Sequence, residues 1–365
     1  MILIKDVIRC IEDFAPLPLQ ESYDNSGVQC GNVNEKATGA LLCLDVTEKV
    51  INEAIKKKCN LIIAHHPLIF SPLKKITGAN YIEKILITAI KKNICIYACH
   101  TNADNVRMGV NNKIAEKLSL LNCRVLQPKK GLLKKLVTFC PTEHAEKIRA
   151  ALFKAGCGQI GNYDSCSFNV AGSGTFKGNE NSNPVVGEKN KFTIEKETRI
   201  ETIFESYKES KVLKALFKAH PYEEIPYDIY SLDNKHPQIG SGLIGELPKA
   251  EKEKDFLLNL KAVFKGGCIR HTALLDKKVK RVALCGGSGS FLLQDAIRAG
   301  ADIFITGDFK YHQFFDAENK LIIADIGHYE SEQFTPEIFY AIIHKKLPKF
   351  AAYLSNHNTN PINYL

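Results

Sequence analysis

No stretch of eighteen or more consecutive apolar residues occurs in this 365-residue chain, which argues against a membrane-spanning helix. The opening Met1-Ile2-Leu3-Ile4-Lys5-Asp6-Val7-Ile8-Arg9 places charge where a secretory signal needs an apolar core, so a cytoplasmic protein is expected. No CxxC pair is present among the twelve cysteines, and Cys43, Cys95, Cys99 and Cys285 sit inside apolar runs. Reduced thiols acting as small core hydrophobes are therefore expected, rather than disulfides or a thiolate metal site. Clustered arginine is also missing. The net charge of +9 comes mostly from lysines scattered along helical patterns such as Ile55-Lys56-Lys57-Lys58, which read as solvated faces rather than a nucleic-acid footprint. Hydrophobic content of 45% and charged content of 24% are ordinary for a globular protein.

What is there reads first as α/β. Ile2 to Phe14 is amphipathic and helical, Ala40 to Val46 is a strand, and Thr47 can cap a helix to about Lys58. A strand ending at His65, a helix from Tyr81 to Lys92 and a strand ending at His100 follow. The C-terminal part repeats the plan: strand Lys280 to Cys285, a glycine turn and a helix to Ala299, strand Asp302 to Asp308, strand Leu321 to Ala324, and a helix from Glu330 to about Lys345. Two pseudo-repeated α/β lobes around a crevice are expected, at 1–126 and 236–365.

Between them, at 127–235, an α+β insert is expected. Strand Leu136 to Cys140 precedes a helix containing Ala151-Leu152-Phe153-Lys154-Ala155. Strand Arg199 to Phe204 precedes one containing Ala215-Leu216-Phe217-Lys218-Ala219, the same five-residue string. Further short strands at Ser165 to Val170 and Ile225 to Ser231 complete a twice-repeated strand–helix–strand pattern, the ferredoxin-like plan. The glycine- and asparagine-rich stretch from Gly172 to Asn190 reads as its long loop.

Chemistry gathers at strand ends, where ligands of open α/β sheets collect. Leu61 to Ala64 leads into His65-His66-Pro67, and Pro67 bars the chain from continuing as a central strand. Ile94 to Cys99 leads into His100, with Asp104 four residues on in the following loop. Leu321 to Asp325 leads into His328 and Glu332, whose spacing of four places both on one face of a helical turn. Each alone has a bland reading as a structural histidine, a cap aspartate or a surface pair. Together, three imidazoles and two carboxylates are enough for two metal ions, with positions left for water. Mixed nitrogen and oxygen donors suit zinc, iron or manganese. His312, in the polar stretch after Asp308, is a candidate substrate contact or a group that supports a metal ligand, or else a structural histidine near the crevice. Cys285-Gly286-Gly287-Ser288-Gly289-Ser290, which is neither a P-loop nor a dinucleotide fingerprint, is either an anion-binding helix start or a tight structural turn.

These strings resemble a known family, the GTP cyclohydrolase 1 type 2 homologues or Nif-three-like dinuclear metal proteins. The resemblance is carried, in order along the chain, by Tyr23-Asp24-Asn25-Ser26-Gly27, Ala64-His65-His66-Pro67, His100-Thr101-Asn102-Ala103-Asp104, Cys285 to Ser290, Thr306-Gly307-Asp308 with Tyr311-His312, and Gly327-His328-Tyr329-Glu330-Ser331-Glu332. It implies that His65, His66, Asp104, His328 and Glu332 hold two divalent ions per chain, with Glu332 bridging. Gly158-Gln159-Ile160-Gly161-Asn162-Tyr163 and Ala219-His220-Pro221-Tyr222-Glu223-Glu224 are similar to the family's long form, whose insert is PII-like and copper-tolerance-like. A homohexamer of stacked trimers is implied too. The resulting expectation is a metal-dependent hydrolase on a nucleotide-like or cyclic amide small molecule, assisted by His100, Asp308 and His312. The rival expectation is a non-catalytic metal-trafficking or regulatory protein.

Overall fold

The computed structural model describes residues 1–365 and divides into two compact units, Met1–Pro128 with Gln238–Leu365, and Lys129–Pro237. No helix is long and apolar enough to cross a membrane. All twelve cysteines are free thiols.

The first unit is built on two sheets. One runs in the order Gly27–Cys30, Cys95–Ala98, Leu61–Ala64, Ala40–Cys43, Ala352–Leu354. The last four strands are parallel to their neighbours and the first is antiparallel. Every residue of Ala40–Cys43, Leu61–Ala64 and Cys95–Ala98 is buried, because helices cover both faces. Leu61 and Ile63 pack with Val7, Ile8, Ile11 and Phe339. Ile62 and Ala64 point the other way, onto Val50, Ile51, Ile85 and Leu86. Each such leucine, isoleucine, valine or phenylalanine contributes about 1.5–3 kcal/mol by leaving water. Thr47 accepts the Val50 N–H and starts the helix Glu48–Lys56.

The other sheet has the order Arg270–His271, Ile322–Asp325, Ile303–Gly307, Lys278–Ser288, Gly240–Lys252, Leu121–Pro128. Its three central strands at 278–288, 303–307 and 322–325 are parallel, and the flanking ones antiparallel. Edge strands are exchanged between the sheets. Leu121–Pro128, from the N-terminal part, closes the edge of this second sheet. Ala352–Leu354 closes the edge of the first, and Phe339 and Ile343 of helix Thr335–Lys346 enter the first sheet's core. The expected helix from Glu330 to Lys345 is broken into His328–Glu332 and Thr335–Lys346, with Pro336 in the first turn of the second piece.

The second unit is one antiparallel sheet in the order Phe168–Lys177, Phe192–Glu205, Leu133–Pro141, Tyr227–Leu232. Helices Ala145–Ala155 and Glu209–Ala219 pack into a core with Leu136, Cys140, Ile200 and Phe204. The repeated Ala-Leu-Phe-Lys-Ala string plays the same part twice: Leu152 and Ala155 are buried, as are Leu216 and Ala219. The expected loop from Gly172 is shorter than its composition suggests. Strand pairing continues to Lys177 opposite Phe192, because a hairpin ladder satisfies the backbone of Gly172 and Gly174 whatever their propensity.

Candidate metal centre

The site is assembled by strand ends of both sheets of the first unit. Leu61–Ala64 delivers His65, which is fully buried, and His66. Cys95–Ala98 delivers His100 at the start of a short helix, Thr101–Asn105. Asp104 therefore lies on a helical turn and not in an open loop. Ile322–Asp325 leads through Gly327, in the left-handed region at φ 95°, to His328–Glu332.

Glu332 is the centre of the arrangement. Its Oε2 lies 2.9 Å from His66 Nε2, 3.1 Å from His328 Nε2 and 3.7 Å from His65 Nε2. His65 Nε2 is 3.6 Å from Asp104 Oδ1. Two overlapping sets, His66–His328–Glu332 and His65–Asp104–Glu332, could each hold a metal ion, and His100 forms a third with His65 and His66.

Four imidazoles are oriented by the nitrogen that faces away from this centre. His65 Nδ1 donates to the Cys99 carbonyl at 2.9 Å, His66 Nδ1 to Asp45 at 2.7 Å, His100 Nδ1 to Asp24 at 2.7 Å and His328 Nδ1 to Asp308 at 2.7 Å. A carbonyl or ionised carboxylate only accepts, so each Nδ1 carries the proton and each Nε2 is the potential donor to a metal. His65 Nε2 and Asp104 Oδ1 are buried with no hydrogen-bond partner. Leaving such atoms unmatched costs about 1–3 kcal/mol each, more when charged. A cation between them removes that cost, and the donor set fits one.

Charge distribution agrees. Burial raises the Asp104 carboxyl above its ordinary range, and the neighbouring Glu332 charge raises it further. Burial also opposes ionisation of Glu332, but His328 and His65 outweigh it and hold that carboxyl well down. On His66, burial works against the proton, yet Asp45 and Glu332 prevail and lift it to about 10. On His328, Glu332 and Asp308 overcome burial and lift it to about 11. The surrounding carboxylates favour positive charge at His66 and His328.

Glycines allow the close approach. A side chain on Gly287, at φ 62°, would collide with Glu332 Oε1, and one on Gly307 would come within 2.8 Å of the His328 backbone nitrogen. The expected turn directly after Cys285 is not found: the strand runs on through Gly286 and Gly287 to Ser288, and the chain turns only at Gly289. The N–H groups at Gly286, Gly287 and Gly289 are taken by Asn111 Oδ1, Ser331 Oγ and Thr306 Oγ1, so none is free for an anion.

The structure thus brings His65, His66, His100, Asp104, His328 and Glu332 together. Asp308 joins through His328 Nδ1. His312 is exposed and meets Tyr311 and Phe315 instead. Sequence reasoning missed Asp45, Asp24 and the Cys99 carbonyl as orienting groups. Asp45 stands two residues beyond the strand Ala40–Cys43, as His66 stands two beyond Leu61–Ala64, and that position was its only signal. Cys95 and Cys99 stay out of the cluster; burial pushes both thiols far up and disfavours a thiolate.

The chain belongs to the Duf34/NIF3 (NGG1p interacting factor 3) family, whose model matches residues 2–361. It is 41% identical over 324 residues to a GTP cyclohydrolase 1 type 2 homolog of Halalkalibacterium halodurans, covering 88% of this chain and 87% of that protein. The homolog of Bacillus subtilis is 37% identical over 371 aligned positions, covering 99% and 98%. Among solved structures, a Bacillus cereus protein related to NIF3 superposes with a TM-score of 0.88 at 38% identity, covering 100% of this chain and 99% of that one.

Proposed function

We propose that this member of the Duf34/NIF3 family holds two divalent metal ions per chain and is a metal-dependent hydrolase of a nucleotide-like or cyclic amide substrate. The observation that carries the reading is one carboxylate, Glu332, shared by two sets of potential metal donors, one of which holds the buried, unmatched His65 Nε2 and Asp104 Oδ1. His65 and Asp104 make one set and His66 and His328 the other, with Glu332 bridging. Zinc, iron or manganese suits this mixture of imidazole and carboxylate.

Bound there, such ions would activate water and polarise a substrate oxygen at neutral pH. The chain's own residues supply orientation and proton handling. Asp45 and Asp308 hold His66 and His328 through Nδ1. His100, held by Asp24, is positioned to carry a proton beside the ligands. His312, exposed after Asp308, is proposed to meet the substrate. By the same family likeness, the Lys129–Pro237 unit is proposed as a PII-like insert, and the whole as a cytoplasmic homohexamer of stacked trimers.

The test is turnover. Protein reconstituted with zinc, iron or manganese is screened against nucleotides and cyclic amides, and Glu332→Ala should abolish any activity found. Metal binding without turnover by any of these would instead favour a trafficking or regulatory role, which the cavity in the Lys129–Pro237 unit also suits. Light scattering that gives a monomer or dimer would exclude the hexamer.

A further inference from the structure

The Lys129–Pro237 unit carries a cavity of about 520 Å³, within the size range of sites for small molecules. Much of its wall is apolar: Phe139, Phe176, Val186, Ile225 and Pro226. Carboxylates interrupt that wall. Glu197, Glu223 and Glu224 line the space, against a single lining cation, Lys177.

Glu197 and Glu223 are held in place by hydrogen bonds. Glu197 lies on the strand Phe192–Glu205, and the Tyr222 hydroxyl donates to its Oε1 at 2.8 Å. The opposing strand makes room for the carboxylate with glycine. A side chain on Gly174 would come within 2.0 Å of Glu197 Oε2. Glu223 Oε1 accepts the Asn183 N–H at 2.6 Å, which ties the loop between the two strands to the cavity wall. Tyr222, Glu223 and Glu224 belong to the His220-Pro221-Tyr222-Glu223-Glu224 string, which the metal centre does not use.

Three carboxylates against one lysine leave the cavity wall with an excess of negative charge. This chain has 49 lysines and arginines, yet the partner given to Glu197 is a neutral hydroxyl. An ammonium group would pair with Glu197 and would also be favoured by the aromatic rings of Phe176 and Tyr222, while the Phe139 ring already meets the Arg199 guanidinium at 5.8 Å. We infer that this cavity binds a small organic ammonium ion with an apolar body, its charge on Glu197 and Glu224 and its body against Phe139, Phe176 and Ile225. A free amine and an α-amino acid share that ammonium. They differ in whether a ligand carboxylate meets Lys177.

Titration calorimetry on the full chain distinguishes them, using 3-methylbutylamine, leucine and 4-methylpentanoate. Metal-stripped Glu332→Ala protein serves as host, so that chelation at the His–Glu cluster plays no part. The amine or leucine should bind with a Kd below about 1 mM, and 4-methylpentanoate should not. Glu197→Gln, which keeps an acceptor for Tyr222, should weaken binding roughly tenfold or more with an unchanged melting transition. Leucine binding better than the amine, with the advantage lost in Lys177→Ala, identifies the amino-acid form. Failure of both ammonium probes to bind, equal binding by Glu197→Gln, or preference for the anion would overturn the inference.

Discussion

His66 and Asp45 are joined by a 2.7 Å hydrogen bond from Nδ1 to a carboxylate oxygen, and the second Asp45 oxygen accepts the Thr359 hydroxyl at 2.6 Å. The bond turns His66 Nε2 toward Glu332. Asp45→Ala should lower divalent-metal affinity by about 10–100-fold, the usual cost of removing such an orienting partner. Thr359→Val should have a smaller effect in the same direction. Zinc or manganese titration of the two variants checks this; affinity unchanged in Asp45→Ala would mean the imidazole needs no anchor.

Stoichiometry is the second expectation. About two ions per chain should be measured after reconstitution and removal of excess metal. His328→Ala with Glu332→Ala should bring this close to none. Circular dichroism should remain that of the parent, because these side chains sit at a helix beyond a strand end and outside the apolar cores.

Metal-free protein should lose stability as pH rises. The pKa of His66 is raised from 6.5 to about 10 and that of His328 from 6.5 to about 11. Their contribution is fully present below the unfolded value and fades as pH climbs through the folded ones. Asp104, raised by burial, adds in the same direction from lower pH. Metal affinity should rise over the same interval, since binding expels these protons. Melting temperatures of chelator-treated protein from pH 6.5 to 10 test the sign, and Glu332→Gln should flatten the slope.

The second unit should be removable. Pro128 and Gly240 are register partners in an antiparallel pair, so the chain leaves and re-enters the first unit at adjacent points. Lengthening a closing loop costs only about 0.6 kcal/mol per doubling, and a short glycine–serine linker suffices. Protein lacking 129–237 should stay folded and keep its metal content. Aggregation with loss of metal would show that the first unit depends on the second.

The repeated string yields a paired stability test. Leu152→Ala and Leu216→Ala should each cost about 2–5 kcal/mol, since both side chains are fully buried in one core. Phe217→Ala, at a position 48% exposed, should cost about 0.5 kcal/mol or less. Urea unfolding of the three variants measures the contrast.

The order of residues along the chain determined much of this protein by itself. The buried parallel strands at 61–64, 95–98 and 322–325 are legible because continuous apolar runs bounded by polar residues have few other solutions. Strand ends mark where His65, His100 and His328 emerge, because parallel strands deliver the residues that follow them at their carboxyl ends. Only the tertiary structure decided what those residues meet. Glu332 lies 266 positions from His66 in the chain and 2.9 Å away in space. Asp45 and Thr359 carry no local pattern that announces a shared hydrogen bond. The exchange of edge strands between the two sheets is likewise invisible locally, because each edge strand is short and its partner is chosen by which sheet has an unpaired edge within reach. Sequence periodicity dictates the elements; long-range packing dictates which of their ends face one another, and the candidate metal centre exists only where they do.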